Sequence, residues 1–411
     1  MTKPNVLQGA ENSPDLAATR AELLSRIDAI LPGLERNAVQ AETDRDLAPE
    51  SVDALIESGA LRLFVPRRFG GYEAGYRTYV EATIKLAAVC GSSAWLSFIT
   101  NHSDWHIGQM SQSVQDTVWA NGPKAKVGTP LTPNPGWTAS YVDGGIKVSG
   151  EWPYTSGSTF AKWSLIAFPK IAEDGIPVDN ILGLISNDGV EIKDTWHVTG
   201  MAATGSNTIV VEDVFIPDEH TMLMSDMLAN RFPTPHKSES MYQMDIGAVF
   251  HLATLVPCVG LAKAALDLTL ARIMTKPKPM TYTFYHDTTK APATQFAMAK
   301  AAWLIDTTLE QARATADAID RQARTAQSFS GIERGTFAMR AAMGHQMCRE
   351  ALDLLLDVYG AGAFALTNPM QRIWRDFHIA SRHGLSVPGL KQEIYGRALL
   401  GAQEQHMTPL V

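Results

Sequence analysis

The segment Gly150–Trp163, GEWPYTSGSTFAKW, places aromatic rings and hydroxyl groups beside flexible glycines. Trp152 and Tyr154 supply rings that exclude water, and Thr155 and Ser156 supply hydroxyls that can hold the heteroatom edge of a planar ring system. An ordinary strand that ends in a Thr-Ser-Gly bend would show the same residues without any ligand. The segment by itself therefore indicates either a turn or one wall of a pocket for a planar cofactor.

Two histidines stand in unusual surroundings. His102 lies in NHSDWHIGQMSQSVQDTVW, after a helix that we expect to end near Ile99, and His383 lies in NPMQRIWRDFHIASRHGLSVPGL. Because imidazole titrates in the working pH range, either ring could donate or accept a proton in a reaction. Structural or solvent-facing roles are assigned to five others, His106, His197, His251, His286 and His345.

The stretch Thr195–Pro217 is a further candidate for a ligand wall. Trp196 precedes the turn Thr204-Gly205-Ser206-Asn207, and an apolar run of alternating type follows. A tryptophan in this place is either a core residue or a ring laid against a ligand.

Composition and charge exclude several classes of partner and site. The chain has 411 residues, 45% of them hydrophobic and 19% charged, which is typical of a globular protein with two or three subdomains. A formal net charge of −8 gives no concentrated basic field for nucleic acid or an anionic membrane. Cys90, Cys258 and Cys348 have no CxxC spacing, which argues against a disulfide framework and a cysteine metal site. With no leader pattern and no apolar run of membrane-spanning length evident, we expect a cytoplasmic protein without a nucleic-acid or membrane partner.

The hydrophobic pattern divides the chain into three regions. Helical periodicity predicts an N-terminal helical domain over residues 1–122, including one long buried helix over Tyr76–Ser97. Short alternating runs separated by Asp-Gly and Gly-Gly turns predict a central β-domain over 123–225. Helical periodicity returns after a polar linker and predicts a C-terminal bundle over 226–411. Gly360-Ala361-Gly362-Ala363-Phe364-Ala365 matches a loose dinucleotide fingerprint, but it follows a predicted helix and not a strand, so we reject a nicotinamide site there.

These motifs and this order of elements resemble the acyl-CoA dehydrogenase fold, which has N-terminal helices, a middle antiparallel β-barrel and a C-terminal four-helix bundle. More narrowly, the chain resembles the oxygen-using branch of that fold, the two-component (group D) flavin-dependent monooxygenases. In many dehydrogenases of the fold a glutamate follows the Arg-Asp helix and abstracts the substrate proton. Counting from Arg375-Asp376, this chain has Gly384 at that position, and the monooxygenase branch carries a histidine where His383 stands.

The resemblance also implies roles for individual residues. The Ser156 hydroxyl is expected near the flavin N5 atom, with Trp196 against the flavin ring. His102 is expected to face and orient the substrate, and His383 to act as its base or proton partner. The remaining members of the expected flavin pocket are Trp152, Tyr154, Thr155 and Thr129.

The reaction implied is a hydroxylation by reduced flavin and O2 through a C4a-hydroperoxide. FMNH2 or FADH2 would come from a separate NAD(P)H:flavin reductase, and the resemblance implies a homotetramer. We expect the segment Met280–Asp287 to line the pocket, and its Tyr and Phe content favours a small aromatic substrate. Two alternatives stay open, a dehydrogenase or oxidase with a relocated base and a flavin-binding protein without chemistry. FMN and FAD are not distinguished, because no Arg-x-x-Phe-Gly phosphate element follows Ala271.

Overall fold

The computed structural model describes residues 14–172, 174–276, 278–325 and 327–402. Helices come first along the chain, strands follow, and helices return, so the predicted mainly helical fold with a central β-domain is confirmed. The helices of the first region are α1 (Pro14–Asp44), α2 (Pro49–Ser58), α3 (Tyr76–Ala87), α4 (Gly91–Gln109) and α5 (Gln112–Val118).

The single long helix predicted for Tyr76–Ser97 is wrong, because the chain breaks between α3 and α4. Cys90 adopts an extended conformation with φ −151°, and its sulfur accepts the backbone N–H of Ser93 at 3.4 Å. This contact caps a new helix and satisfies one of the N–H groups that a helix start leaves without an intrahelical partner. His102 consequently lies inside α4 and does not follow a helix that ends near Ile99.

The central region contains two sheets packed face to face. Its strands are β1 (Val127–Gly128), β2 (Thr138–Val142), β3 (Gly145–Thr155), β4 (Trp163–Ile171), β5 (Pro177–Ser186), β6 (Glu191–Lys193), β7 (Asn207–Pro217) and β8 (Thr221–Leu223). The sheets have the orders β1-β4-β5-β8 and β2-β3-β7-β6, and every pairing except β1 with β4 is antiparallel. Over the residues that the structure describes the two sheets remain open, so the expected closed barrel is instead a two-sheet sandwich.

Helices also form the last region and contribute many of the buried apolar residues. They are α6 (Met224–Leu228), α7 (Ile246–Ala253), α8 (Leu255–Thr275), α9 (Pro292–Thr325), α10 (Gly331–Tyr359), α11 (Pro369–Ala380) and α12 (Pro388–Leu400). The glycine-rich motif follows helix α10 and forms a short 3-10 turn, so it lacks the strand that a dinucleotide site needs.

One apolar stretch of membrane-spanning length is present, contrary to the expectation from the sequence. Ile246–Thr275 is long and apolar enough to cross a membrane, with a mean hydropathy of 1.7 in its most apolar window. Because 94% of that window is buried inside the protein, the stretch is a core helix pair, α7 and α8.

Asp376 of α11 ties the C-terminal helices to both other regions. Its Oδ1 atom accepts the backbone N–H of Met201 at 2.6 Å. Its Oδ2 atom approaches the first turn of α4 so closely that a Cβ on Gly91 would lie 2.5 Å away, so only glycine fits there. Burial raises the pKa of this carboxyl to about 6, against the opposing effects of the Met201 N–H and Arg372.

The pH dependence of stability should report on Asp376. Folding raises the pKa of Asp376 from 3.8 to about 6, which stabilises the folded protein below about pH 4. This contribution to the free energy of unfolding, on the order of 3 kcal/mol, is lost as the pH rises through about 6. Asp376→Asn keeps an oxygen for the Met201 N–H and cannot ionise. Urea unfolding between about pH 4 and pH 7 should therefore show a shallower loss of stability in the variant.

Part of the slope should remain in Asp376→Asn, because burial also raises the pKa of Asp104 to about 6. Equal slopes in the variant and the original protein would contradict an ionising carboxyl at position 376.

Candidate functional site

Helix α4 presents a stripe of rings along one face. Trp95, Phe98, His102 and Trp105 recur at helical spacing, and successive ring centroids lie 5.0, 5.0 and 6.4 Å apart. Every residue of α4 except Ile99 is buried, so the stripe is covered by other elements. The three- and four-residue spacing of Trp95, Phe98 and His102 in the sequence could have indicated that these rings share one helix face, but Trp95 and Phe98 were not among the predicted site residues.

His383 joins this stripe from the other end of the chain. It caps the short turn Gly384–Ser386 after α11, and its ring centroid lies 5.6 Å from that of Trp95 and 6.3 Å from that of Phe98. His102 contacts the same Phe98 ring. The structure thus brings the two predicted histidines to one phenyl ring; we call Trp95, Phe98, His102 and His383 the aromatic cluster.

Ser156 reaches the aromatic cluster through Trp95. The Trp95 Nε1–H donates to Ser156 Oγ at 3.3 Å, and Ser156 Oγ lies 2.7 Å from Ser206 Oγ. Ser156 stands just beyond the end of β3, and its side chain is buried with 7% exposure. Of the three predicted catalytic residues, His102 and His383 thus belong to the aromatic cluster, and Ser156 borders it.

The hydroxyl chain behind Ser156 has a defined direction. Thr204 Oγ1 donates to Met201 O at 2.8 Å, so in its 2.7 Å contact with Ser206 Oγ the threonine must accept and Ser206 must donate. The only hydroxyl hydrogen of Ser206 is then donated to Thr204, so Ser156 must donate to Ser206. Because Ser156 also accepts from Trp95, one lone pair on its oxygen remains for a ligand that donates a hydrogen bond.

Trp196 and Tyr154 form a second ring contact at the edge of the β-domain. The Trp196 indole N–H donates to Met201 O at 3.0 Å, and its backbone N–H donates to Asn207 Oδ1 at 3.1 Å. A bulge in β3 turns Tyr154 outward with φ 62°, so that it is 72% exposed and its ring stands perpendicular to Trp196 at 6.1 Å. Tyr154 is exposed and Trp196 half-buried, and their place in a pocket wall stays a prediction.

Three expected pocket residues have other surroundings. Trp152 is wholly buried in the core between the two sheets, where its indole N–H donates to Ala167 O at 2.8 Å. Thr155 is also fully buried and donates to Trp152 O at 3.1 Å. We therefore correct the interpretation of these two side chains from ligand contacts to packing within the β-domain. Thr129 is half-buried beside α4, with its hydroxyl 2.6 Å from Ser103 Oγ.

The hydrogen bonds of His383 determine its tautomer. The backbone N–H of Leu385 donates to Nδ1 at 3.2 Å, so the neutral ring carries its hydrogen on Nε2. Burial, helped by nearby Lys391, lowers the pKa of His383 to about 4, and the ring is neutral at pH 7. Nothing among the described residues accepts the Nε2 hydrogen, so His383 offers a hydrogen-bond donor to the site. A base at Nε2, one of the two roles expected for it, would need the opposite tautomer.

Other cavities and segments lie apart from the aromatic cluster. The segment Met280–Asp287, expected as a pocket wall, leaves Tyr282 and Phe284 fully exposed in the single chain. A surface cavity of about 640 Å³ lies beside β8 and α6, and none of the predicted site residues lines it. Its walls are Thr221, Met222, Leu223, Asp226, Arg231, Phe232, Pro233 and Lys237.

Comparisons with known proteins show what the whole chain is similar to. Residues 252–388 match the family model of the acyl-CoA dehydrogenase C-terminal domain. The oxygenase subunit HsaA of a flavin-dependent monooxygenase from Rhodococcus jostii (strain RHA1) is 32% identical over 390 residues, 92% of this chain and 98% of the relative. The oxygenase component of an FADH(2)-dependent resorcinol hydroxylase from Rhizobium sp. (strain MTP-10005) is 29% identical, with 95% of this chain and 98% of the relative covered. The structure of XiaF from Streptomyces sp. in complex with FADH2 and glycerol superposes with a TM-score of 0.88 at 26% identity, covering 97% of this chain and 98% of that one.

Proposed function

Because this chain belongs to the family of flavin-dependent monooxygenase oxygenase subunits, we propose that it hydroxylates a small phenol-like aromatic compound. Reduced flavin and O2 are its co-reactants, and the reduced flavin comes from a separate reductase component. The observation that carries the choice of substrate is the aromatic cluster, which joins flat rings to one neutral hydrogen-bond donor. The dehydrogenase alternative is disfavoured, since Gly384 stands where a dehydrogenase base would be.

The residues around Ser156 fit a reduced flavin. Reduced flavin carries a hydrogen on N5, and the remaining lone pair of Ser156 Oγ is the acceptor that such an N–H requires. Trp196 and Tyr154 offer partly exposed rings on the same side of the β-domain. When bound, reduced flavin supplies the two electrons with which one atom of O2 enters the product and the other leaves as water. The protein contributes orientation and a site from which water is excluded.

The cluster also fits a phenol. The Trp95 and Phe98 rings can pack against an aromatic substrate, and the His383 Nε2–H can donate to its oxygen. A donor at that oxygen stabilises negative charge there, and a phenol with more anionic oxygen has a more electron-rich ring. The relative that hydroxylates resorcinol, a phenol, supports this class of substrate.

Removal of the His383 donor should lower hydroxylation. We expect His383→Ala to reduce kcat/KM for a phenolic substrate by about 100-fold, and His383→Gln, which keeps an N–H donor, to retain more activity. The measurement is product formed per flavin oxidised, with a flavin reductase, NADH and a panel of phenols. Full coupled turnover by His383→Ala would exclude the proposed role.

Loss of the Ser156 oxygen should weaken reduced-flavin binding. Ser156→Ala removes one hydrogen-bond acceptor, and we expect the Kd of reduced flavin to rise about 3- to 10-fold. Anaerobic titrations with FMNH2 and FADH2 measure this and show which flavin the protein prefers. The matched control is Ser158→Ala, because Ser158 is equally buried but donates to Gly205 O at 2.8 Å. Equal affinities in Ser156→Ala and the original protein would contradict the fit.

We extend the proposal to the assembly and the partner: a homotetramer served by an NAD(P)H:flavin reductase in the cytoplasm. Large apolar side chains on and near α9 are unusually exposed for a lone chain, including Phe284 at 99% and Trp303 at 64%. Others in the same region are Phe296, Phe364 and Leu366. The buried, unpaired Cys90, Cys258 and Cys348 suit a reducing compartment.

Light scattering should give a mass four times that of the 44.7 kDa chain. Trp303→Asp should shift the protein to smaller species, because it buries a charge in the proposed interface. Tyr141→Asp changes a similarly exposed aromatic on β2, 59% exposed, and should leave the mass unchanged. A monomeric original protein would overturn the assembly proposal.

A further inference from the structure

Both ring nitrogens of His102 are bonded within the protein. Nδ1 lies 2.7 Å from Phe98 O, and Nε2 lies 2.9 Å from the Tyr76 hydroxyl. Since a carbonyl oxygen can only accept, Nδ1 carries the hydrogen, and Nε2 of the neutral ring accepts from Tyr76. Burial lowers the pKa of His102 to about 3, so the ring is neutral at pH 7. No nitrogen of His102 is left for a substrate, against the expectation that it orients the substrate hydroxyl.

The backbone at Tyr76 is anchored by a separate part of the chain. Tyr76 begins α3, and Asp320 of α9 accepts the backbone N–H groups of Tyr76 and Arg77 at 2.5 and 3.0 Å. This carboxylate caps the start of α3 from another helix, where negative charge is favoured. Phe64 stacks on the Tyr76 ring at 5.8 Å. The tyrosine is fully buried, so its hydroxyl has one position.

The Tyr76 hydroxyl lies between two acceptors. Besides His102 Nε2, it lies 3.3 Å from Val249 O at the surface of α7. The shorter contact, at 2.9 Å, takes the hydroxyl hydrogen while His102 is neutral. The Tyr76 hydroxyl therefore ties α3 to α4, and the carbonyl oxygen of Val249 is only its longer, competing contact.

We propose that Tyr76 is a positioning residue for the hydroxylation: its hydrogen bond to Nε2 holds the His102 ring in its orientation, with Nδ1 on Phe98 O, and His102 in turn fixes the Phe98 ring between the two histidines. The His102 and Phe98 ring centroids are 5.0 Å apart, and Phe98 is the ring that His102 shares with His383. The substrate oxygen is then held by His383, and His102 acts through the shape of the aromatic cluster. This inference rests on the proposed function only for its kinetic readout.

Tyr79 provides a matched control. It is as deeply buried as Tyr76, lies on the same helix, and its ring centroid is 5.0 Å from that of His102. Its hydroxyl donates to Ala253 O at 3.0 Å and makes no hydrogen bond to His102. Tyr79→Phe therefore removes an equally buried hydroxyl beside His102, outside the aromatic cluster, without releasing the imidazole.

The kinetic test compares Tyr76→Phe with Tyr79→Phe. We expect Tyr76→Phe to lower kcat about 10- to 100-fold with little change in KM for the phenol or in the Kd of reduced flavin, and Tyr79→Phe to keep kcat within about 2-fold of the original. Equal losses in the two variants would overturn the proposal, because they would reflect packing alone. So would an unchanged kcat in Tyr76→Phe.

A structural readout separates this inference from the proposed function. Crystal structures of both variants without flavin should show the His102 ring turned away from Phe98 O in Tyr76→Phe and unmoved in Tyr79→Phe. An unmoved ring in both variants would refute the positioning role even if phenol hydroxylation is confirmed. If no phenol is hydroxylated by the original protein, the proposed function fails and the ring position still decides the inference.

Asp320→Asn covers the case in which Tyr76→Phe does not fold. An amide offers one acceptor oxygen where the carboxylate offers two, so the anchor of Tyr76 is weakened while every aromatic side chain is retained. We expect a smaller loss of kcat than in Tyr76→Phe, again with KM unchanged. An unaltered kcat in a folded Asp320→Asn protein, judged by its thermal unfolding, would contradict the anchoring chain.

Discussion

The burial of helix α4 on every side is the constraint on which the rest of the structure depends. A buried polar group costs about 1–3 kcal/mol if it is left without a partner, and two polar side chains of α4, Asn101 and Asp104, find partners outside the helix. Asn101 accepts from Leu63 N–H at 2.8 Å, and Asp104 pairs with Lys126 at 2.8 Å, with both charged groups at most 1% exposed. Removing one partner of such a pair costs about 3–5 kcal/mol. These bonds fix where α4 lies between the helical and β regions.

The site follows from that position. With Asn101 and Asp104 paired to neighbouring elements, α4 directs its rings toward the junction of the three regions, where Ser156 comes from the β-domain and His383 from the turn after α11. Asp376 supports the opposite wall, because its carboxylate accepts the Met201 N–H. The Met201 carbonyl oxygen in turn accepts hydrogen bonds from the Trp196 indole N–H and the Thr204 hydroxyl. The orientation of the Ser156 oxygen thus depends on a carboxylate of the C-terminal helices.

The candidate site combines neutral hydrogen-bonding groups with aromatic rings. Ser156 offers an acceptor, and His383 offers a donor. His102 is enclosed and offers neither. A site of this kind suits the family to which the chain belongs, because oxygen transfer from a reduced cofactor requires orientation and exclusion of water more than a strong base. Replacement of a dehydrogenase-type glutamate by Gly384 is consistent with that requirement.

The sequence determined the order of helices and strands, because hydrophobic periodicity is a local property. Short motifs also predicted Ser156, His102, His383, Tyr154 and Trp196 as site residues. In the structure Ser156, His102 and His383 lie at the aromatic cluster, and Tyr154 and Trp196 lie at the β-domain edge. The sequence did not separate Trp152 from these, since alternation along β3 marks a side chain as buried without saying whether a sheet core or a ligand covers it.

Only the tertiary structure decided what each histidine can do. The tautomer of His383 depends on Leu385 N–H, and that of His102 on the carbonyl oxygen of Phe98; the lone pair that would remain on His102 is taken by Tyr76, whose position depends on Asp320 in a distant helix. The break before α4 was likewise hidden, because Cys90 and Gly91 fit the helical pattern, and the close approach of Asp376 to Gly91 comes from packing. Hydrogen-bond partners far apart in the sequence meet only when the chain folds, and local patterns carry no record of them.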